Sequence, residues 1–218
     1  MVVPHPDDES LGCGGLIAAA AARRKPVTVV MVSDGVASHN NSRRFSPEAR
    51  RVLRRKEAEA ALTLLGLPPG RLRCLDLPDA AVPSAGPAFE TAVGAIVAAG
   101  RQIDAGMVVT TWGHDPHCDH QASFIMTRAA MAGLLGTVLF SMPVWAHTLP
   151  PALPLPLAPP RGLRLDIAEW QAAKHAAIRA HRSQLGQVID DDPEGFVLPP
   201  AMLAHFDRPF EILLEEAA

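Results

Sequence analysis

The chain contains no tyrosine, only 5% aromatic residues, three cysteines and no marked excess of either charge. Each shortage narrows what it can be. Without a phenol, any proton donor in its chemistry has to come from another side chain. Cys13, Cys74 and Cys118 are odd in number and scattered. That excludes a disulfide framework and favours a reducing, cytoplasmic setting. A net charge of −3 over 218 residues makes no case for nucleic acid or for an anionic membrane as partner. No apolar run reaches the length of a membrane span, and no signal peptide is expected ahead of the first motif. The glycines have neither the dinucleotide spacing nor a P-loop lysine, and no internal repeat is visible.

What the chain does have is an ordinary globular composition, 48% hydrophobic and 20% charged, in a length that buries a core without staples. One domain over residues 1–218 is the expectation. Histidine is concentrated: three of the nine lie in His114-Asp115-Pro116-His117-Cys118-Asp119-His120. A second cluster, Pro4-His5-Pro6-Asp7-Asp8-Glu9, opens the chain. Both follow apolar, strand-like runs.

His5 and Asp8 are three apart on a proline-bounded turn, which can aim an imidazole and a carboxylate at one cation. His120 could complete a set of two nitrogens and one oxygen, leaving a position for water, as in catalytic zinc sites. A carboxylate that does not ligate must then accept the proton of that water, and Asp7 is the candidate. His117 could face a substrate oxygen and stabilise an oxyanion. Asp119 could hold a histidine nitrogen from behind, that of His117 most readily. The plainer reading of Asp-Asp-Glu is a helix-capping turn. Two such clusters in one chain, each after a β-like run, favour the metal site. Cys118 as a fourth ligand and His39 as a ligand are the weaker readings.

These motifs resemble the LmbE-like (PIG-L) family of zinc-dependent N-acetylglucosaminyl deacetylases. The resemblance extends through Arg54-Arg55-Lys56-Glu57, Leu77-Pro78-Asp79, and Lys174 with Ala177, His181, Ser183 and Gln184, so it covers residues 1–190 or so. It implies a Rossmann-like sheet and zinc held by His5, Asp8 and His120. It implies Asp7 as general base, His117 as oxyanion stabiliser or general acid, and Arg54 and Asp79 near the sugar. The implied substrate is an N-acyl amino sugar, free or in a glycan, lipid-linked sugar, thiol conjugate or glycopeptide. Relatives commonly assemble, so a homo-oligomer is possible. Three departures stand out. The first strand is only Met1-Val2-Val3, Cys118 stands where the family usually has proline, and no tyrosine is available beside the metal, a place Trp112 or His114 could fill.

Along the chain, Leu11–Gly15 reads as a tight glycine turn chosen for close backbone packing, followed by a helix from Leu16 to Arg24. Val27–Val32 is a buried strand, and the polar loop after Ser33 reads as a substrate-side lid. Ser46 caps a helix that begins at Pro47 and stops at Gly66. Further strands are expected at Arg71–Leu75, Met107–Thr111, Thr137–Phe140, Arg161–Leu165 and Phe210–Leu214. Helices are expected at Ala88–Ala99, closed by Gly100, and from Asp119 onward. Residues 148–160 are a proline-rich excursion, and Asp166-Ile167-Ala168-Glu169 has the form of a capping box for a helix carrying Lys174 and His181. Lys174 suits either substrate orientation or the pocket wall. The alternation of strands and helices predicts a three-layer α/β sandwich with a mostly parallel sheet. It counts against an Fe(II) oxygenase on a β-barrel, the rival enzyme class. Asp7 and His117 count against a purely sugar-binding module.

Overall fold

A computed structural model describes residues 1–150 and 160–216. Its elements in order are β1 (Val2–Val3), α1 (Asp8–Ala22), β2 (Val29–Ser33), α2 (Pro47–Leu64), β3 (Leu72–Leu77), α3 (Pro87–Gln102), β4 (Met107–Thr111), α4 (Cys118–Met131), β5 (Val138–Met142), β6 (Gly162–Asp166), α5 (Gln171–Ala180), α6 (Pro200–Phe206) and β7 (Phe210–Glu215). The strands form one sheet in the order β3-β2-β1-β4-β5-β7-β6. The first five are parallel, and β7 runs antiparallel to both its neighbours.

Alternation along the strands divides the core between the two faces. Val3, Val29, Met31 and Val109 pack with Leu11, Ile17, Ala58, Leu62 and Ala177 from α1, α2 and α5. Val2, Val30, Val32 and Val108 pack with Ile96 of α3 and Ala122 and Met126 of α4. The result is the expected three-layer α/β sandwich. β1 is short but central, and the chain winds from it toward β2 on one side and returns to β4 on the other. Order therefore reverses between β1 and β4, and the crevice beyond their C-terminal ends is where open α/β sheets bind ligands.

Ser46 caps α2 as expected, its hydroxyl accepting from Ala49 N at 3.2 Å, and Gly66 leaves the helix at φ 84°. Other boundaries differ for identifiable reasons. The glycines of Leu11–Gly15 lie inside α1, which starts at Asp8 and is kinked at Cys13 (φ −142°). They serve close approach: a Cβ at Gly15 would press on Ile167, and one at Gly12 on Met142. Gly100 does not close α3, which continues to Gln102; it admits Leu134. The capping box before α5 does not form. Asp166 accepts from Ala168 N at 2.9 Å, and a 3₁₀ turn, Ala168–Trp170, precedes the helix. Most of the proline-rich stretch, residues 151–159, lies outside the described residues.

The kink in α1 frees two amides, and they find a partner far along the chain. Glu211 on β7 accepts from Gly15 N at 2.8 Å and Leu16 N at 2.9 Å, and Lys174 Nζ of α5 lies 2.7 Å from the same carboxylate. Lys174 and Glu211 are both almost fully buried. Lys174 therefore fixes the wall behind α1 and does not line the cavity that holds His5, Asp8 and His117. Replacing Lys174 by Met should leave the Glu211 charge uncompensated and cost about 3–5 kcal/mol of stability. Urea unfolding would show a lower midpoint at unchanged slope, and an unaltered midpoint would contradict the assignment.

Candidate active site

β1 delivers the first cluster to the crevice and β4 delivers the second. Asp8 begins α1, His117 caps α4, and His120 follows one turn later. Asp8 Oδ2 lies 3.3 Å from His5 Nδ1 and 3.4 Å from His120 Nε2. His120 Nε2 is fully buried and has no hydrogen-bond partner among the described residues. Those separations bear on a cation. Four ligands placed tetrahedrally at about 2.0–2.1 Å from zinc stand roughly 3.3–3.4 Å apart. An orphaned buried nitrogen and two edges of that length fit such an ion. The His5, His117 and His120 rings also crowd one point, with centroids 4.7–5.4 Å apart.

His5 Nε2 and His120 Nδ1 are both held by carboxylates, the usual support for metal-bound histidine. His5 Nε2 meets Asp119 Oδ2 at 3.2 Å and Asp79 Oδ1 at 3.1 Å. Asp119 thus supports His5 and not His117; its backbone N–H instead donates to His117 Nδ1 at 3.2 Å. His120 Nδ1 meets Asp115 Oδ2 at 2.9 Å, and Asp115 also accepts from Val144 N. Asp115 is wholly buried, and the sequence reading passed over it. Its place five residues before His120, inside the same cluster, was the available signal.

Electrostatics follow from these contacts. Burial opposes a charged His5, yet Asp119, Asp79 and Asp8 raise its pKa well above the usual histidine value. Burial likewise works to raise the Asp8 carboxyl, but His120 and His5 hold it down at about 2. Asp7 goes the other way. Burial, with Asp8 adding to it, pushes its pKa up to about 7 against the pull of Arg54. Asp7 also has φ 133°, a left-handed-side conformation that costs a non-glycine residue of order 1–3 kcal/mol. Burial first, then His5 and His120, lowers the pKa of His117.

Arg54 and Asp79 both line the cavity, but much of their hydrogen bonding is spent on the protein. Arg54 donates to Gly35 O at 2.9 Å, Pro6 O at 2.7 Å and Asp7 Oδ2 at 3.3 Å, and its Nε has no partner among the described residues. Asp79 accepts from Ala37 N at 2.8 Å besides meeting His5. The cavity, of about 240 Å³, has His5, Asp7, Asp8, His117, Arg54 and Asp79 on its polar side. Its apolar side is Leu11, Trp145, Phe196, Leu198 and Met202. Trp112 and His114 do not fill the place beside the cluster. They pack on each other with centroids 5.3 Å apart, and Trp145, 6.0 Å from His117, stands there instead. The Cys118 thiol rests on Asp119 Oδ1 at 3.6 Å. His39 ends a 3₁₀ turn, Val36–His39, and is buried against Gly195. The polar loop itself is clasped: Asp191 accepts from Ser42 Oγ and the amides of Arg43 and Arg44 at 2.7–2.9 Å.

The sequence model of one family, described as PIG-L, GlcNAc-PI de-N-acetylase, matches residues 1–131. No curated protein sequence matches. Among solved structures, the A40926 pseudoaglycone deacetylase Dbv21 superposes with a TM-score of 0.68 at 24% identity, over 98% of this chain and 94% of that one. The N,N'-diacetylchitobiose deacetylase from Pyrococcus horikoshii gives 0.65 at 22% identity, over 88% and 71%. GalB, the 4-carboxy-2-hydroxymuconate hydratase from Pseudomonas putida, gives 0.63 at 18% identity, over 98% and 93%. Likeness at these identities establishes the fold, and a hydratase among the neighbours shows why fold alone does not choose the reaction.

Asp115 offers a test of the cluster that needs no substrate. Asp115→Asn should leave the fold intact and weaken divalent metal binding by about 10–100-fold, the usual effect of removing such a support. Competition against a chromophoric chelator measures this directly, and an unchanged affinity would remove Asp115 from the site.

Proposed function

The chain belongs to the PIG-L family, and from that premise we propose that it is a zinc-dependent hydrolase that removes an acyl group, acetyl foremost, from an N-acyl amino sugar. Residues 1–218 act as one catalytic domain, with His5, Asp8 and His120 as the ligands of a single ion. Such an ion, when bound, lowers the pKa of a coordinated water and polarises a carbonyl. The donor set, the orphaned His120 Nε2 and the supporting Asp115 and Asp119 speak for it.

One observation carries the hydrolase reading. Asp7 and His117 both line the cavity that holds the cluster, and Asp7 Oδ1 and His117 Nε2 make no hydrogen bond among the described residues. Each has one atom secured and one left for chemistry. Arg54 anchors Asp7 Oδ2, so Oδ1 takes the proton of the attacking water. A base with a pKa raised toward neutrality is suited to that role. A nearby cation shifts the resting group to the carboxylate form. His117 Nδ1 accepts the Asp119 amide, which places the proton of a neutral ring on Nε2. Nε2–H then donates to the carbonyl oxygen as it gains charge. The proton held by Asp7 returns to the departing amine. Arg54 and Asp79 sit beside the sugar while holding the frame of the pocket. A glycopeptide amide is the second reading, favoured by the aromatic pair Trp145 and Phe196, 5.4 Å apart on the apolar side.

The test is acetate release from N-acetylglucosamine, N,N'-diacetylchitobiose and a lipid-free N-acetylated glycopeptide by the zinc-loaded protein, beside its metal content. Asp7→Asn should keep fold and zinc and lose kcat by roughly 10²–10⁴-fold. Turnover at the parental rate would sink the mechanism, and loss of zinc would mean that Asp7 and Asp8 have exchanged roles. His117→Ala should likewise keep zinc and lower kcat by roughly 10²–10³-fold. If KM alone moved, His117 would be a binding residue.

A further inference from the structure

We propose that His181 is a positioning residue for Asp7 and acts through Glu9, an inference that rests on reading Asp7 as the general base. The starting point is the backbone of Asp7. At φ 133° and ψ −30° it lies where a residue with a side chain is disfavoured, so the surroundings must impose it. Its carbonyl is engaged by the first turn of α1, accepting from Ser10 N at 3.0 Å and Leu11 N at 2.9 Å. Its amide points to Glu9, whose Oε2 accepts it at 3.0 Å. The carboxylate two residues ahead therefore holds the unusual turn from inside, and the turn decides where the Asp7 side chain stands.

Glu9 has no exposure at all, so its own position depends on donors. Oε1 accepts from Ser10 Oγ at 2.6 Å and from His181 Nε2 at 2.9 Å. His181 comes from the end of α5, on the far side of the chain in sequence, and is itself buried. Its other nitrogen, Nδ1, is buried without a partner among the described residues. His181 does not line the cavity. Its hydrogen-bonded route to Asp7 runs through Glu9 to the Asp7 amide. Without the imidazole, Oε1 retains only the Ser10 hydroxyl, the carboxylate is free to rotate, and the Asp7 amide loses its acceptor. The backbone of Asp7 then relaxes toward negative φ and carries its carboxylate off the line set by Arg54.

The experiment compares His181→Leu, which removes the donor, with His181→Gln, which keeps an N–H near the Nε2 position. Both are measured in the zinc-loaded full chain, on whichever of the three substrates above wild type turns over fastest. His181→Leu should lose kcat by about 10–100-fold with zinc content intact, the range a small misplacement of a catalytic group produces. KM should move by less than about 3-fold, since no substrate contact is lost. His181→Gln should recover to within about 5-fold of wild type. On an Asp7→Asn background the Leu change should add less than about 3-fold, because the group it positions is already gone. A crystal structure of zinc-loaded His181→Leu should show Asp7 at negative φ and its amide off Glu9, a readout independent of any substrate. Where the Leu variant does not fold, His181→Asn, one atom too short to reach Glu9, takes its place in the comparison. An unimpaired kcat, equal losses in the Leu and Gln variants, an additive effect on Asp7→Asn, or an unmoved Asp7 backbone would each overturn the proposal. Asp7→Asn at wild-type kcat would instead overturn the base assignment itself.

Discussion

The His5 imidazole sits among three carboxylates, those of Asp8, Asp79 and Asp119, at 3.1–3.3 Å. Much of the molecule is arranged around that fact. Buried carboxylates in such number are unfavourable without positive charge among them. In the protein alone, these carboxylates favour the protonated imidazole and raise the His5 pKa despite burial. A divalent ion held by this cluster would supply that positive charge in place of the proton. The carboxylates come from α1, from the loop after β3 and from α4, so the site also ties three separate parts of the chain together.

Around this centre lies a frame of buried charged and polar pairs, and each sequence motif contributes one. Arg54 joins the loop after β1 to the loop after β2 through Pro6 O and Gly35 O. Glu57, one turn further along α2, accepts from Ser183 N at 2.8 Å and Ser183 Oγ at 2.6 Å. Glu9 and His181 brace α1 from within, and Lys174 with Glu211 closes its kink. The frame holds the ligand-bearing turn from several directions. A strained residue persists only where its surroundings over-determine it, and Asp7 is such a residue. Rigidity at the base and an open, largely apolar wall opposite divide the cavity between chemistry and recognition.

Much of this was legible in the residues. Strand alternation and helix punctuation placed most elements within a few residues, because Ser46, Pro47 and Gly66 act locally. The two clusters were legible for the same reason: His5 and Asp8, like His117 and His120, are three apart, and a turn or a helix start brings such pairs to one side. The glycines of α1 were misread as a turn because nothing near them in the sequence announces Ile167 or Met142.

The sequence by itself determined the elements, the two clusters and the kind of chemistry their side chains support, since these depend on side-chain type and short spacing. Tertiary structure alone decided the partners. Asp119 meets His5 across 114 positions, and His181 meets Glu9 across 172. Asp115 supports His120, and Trp145 takes the place beside His117. These pairings follow from strand order, from the reversal between β1 and β4, and from which helix ends at the crevice. No local spacing encodes them, because hydrogen bonds between distant residues exist only once the sheet has fixed both ends in space.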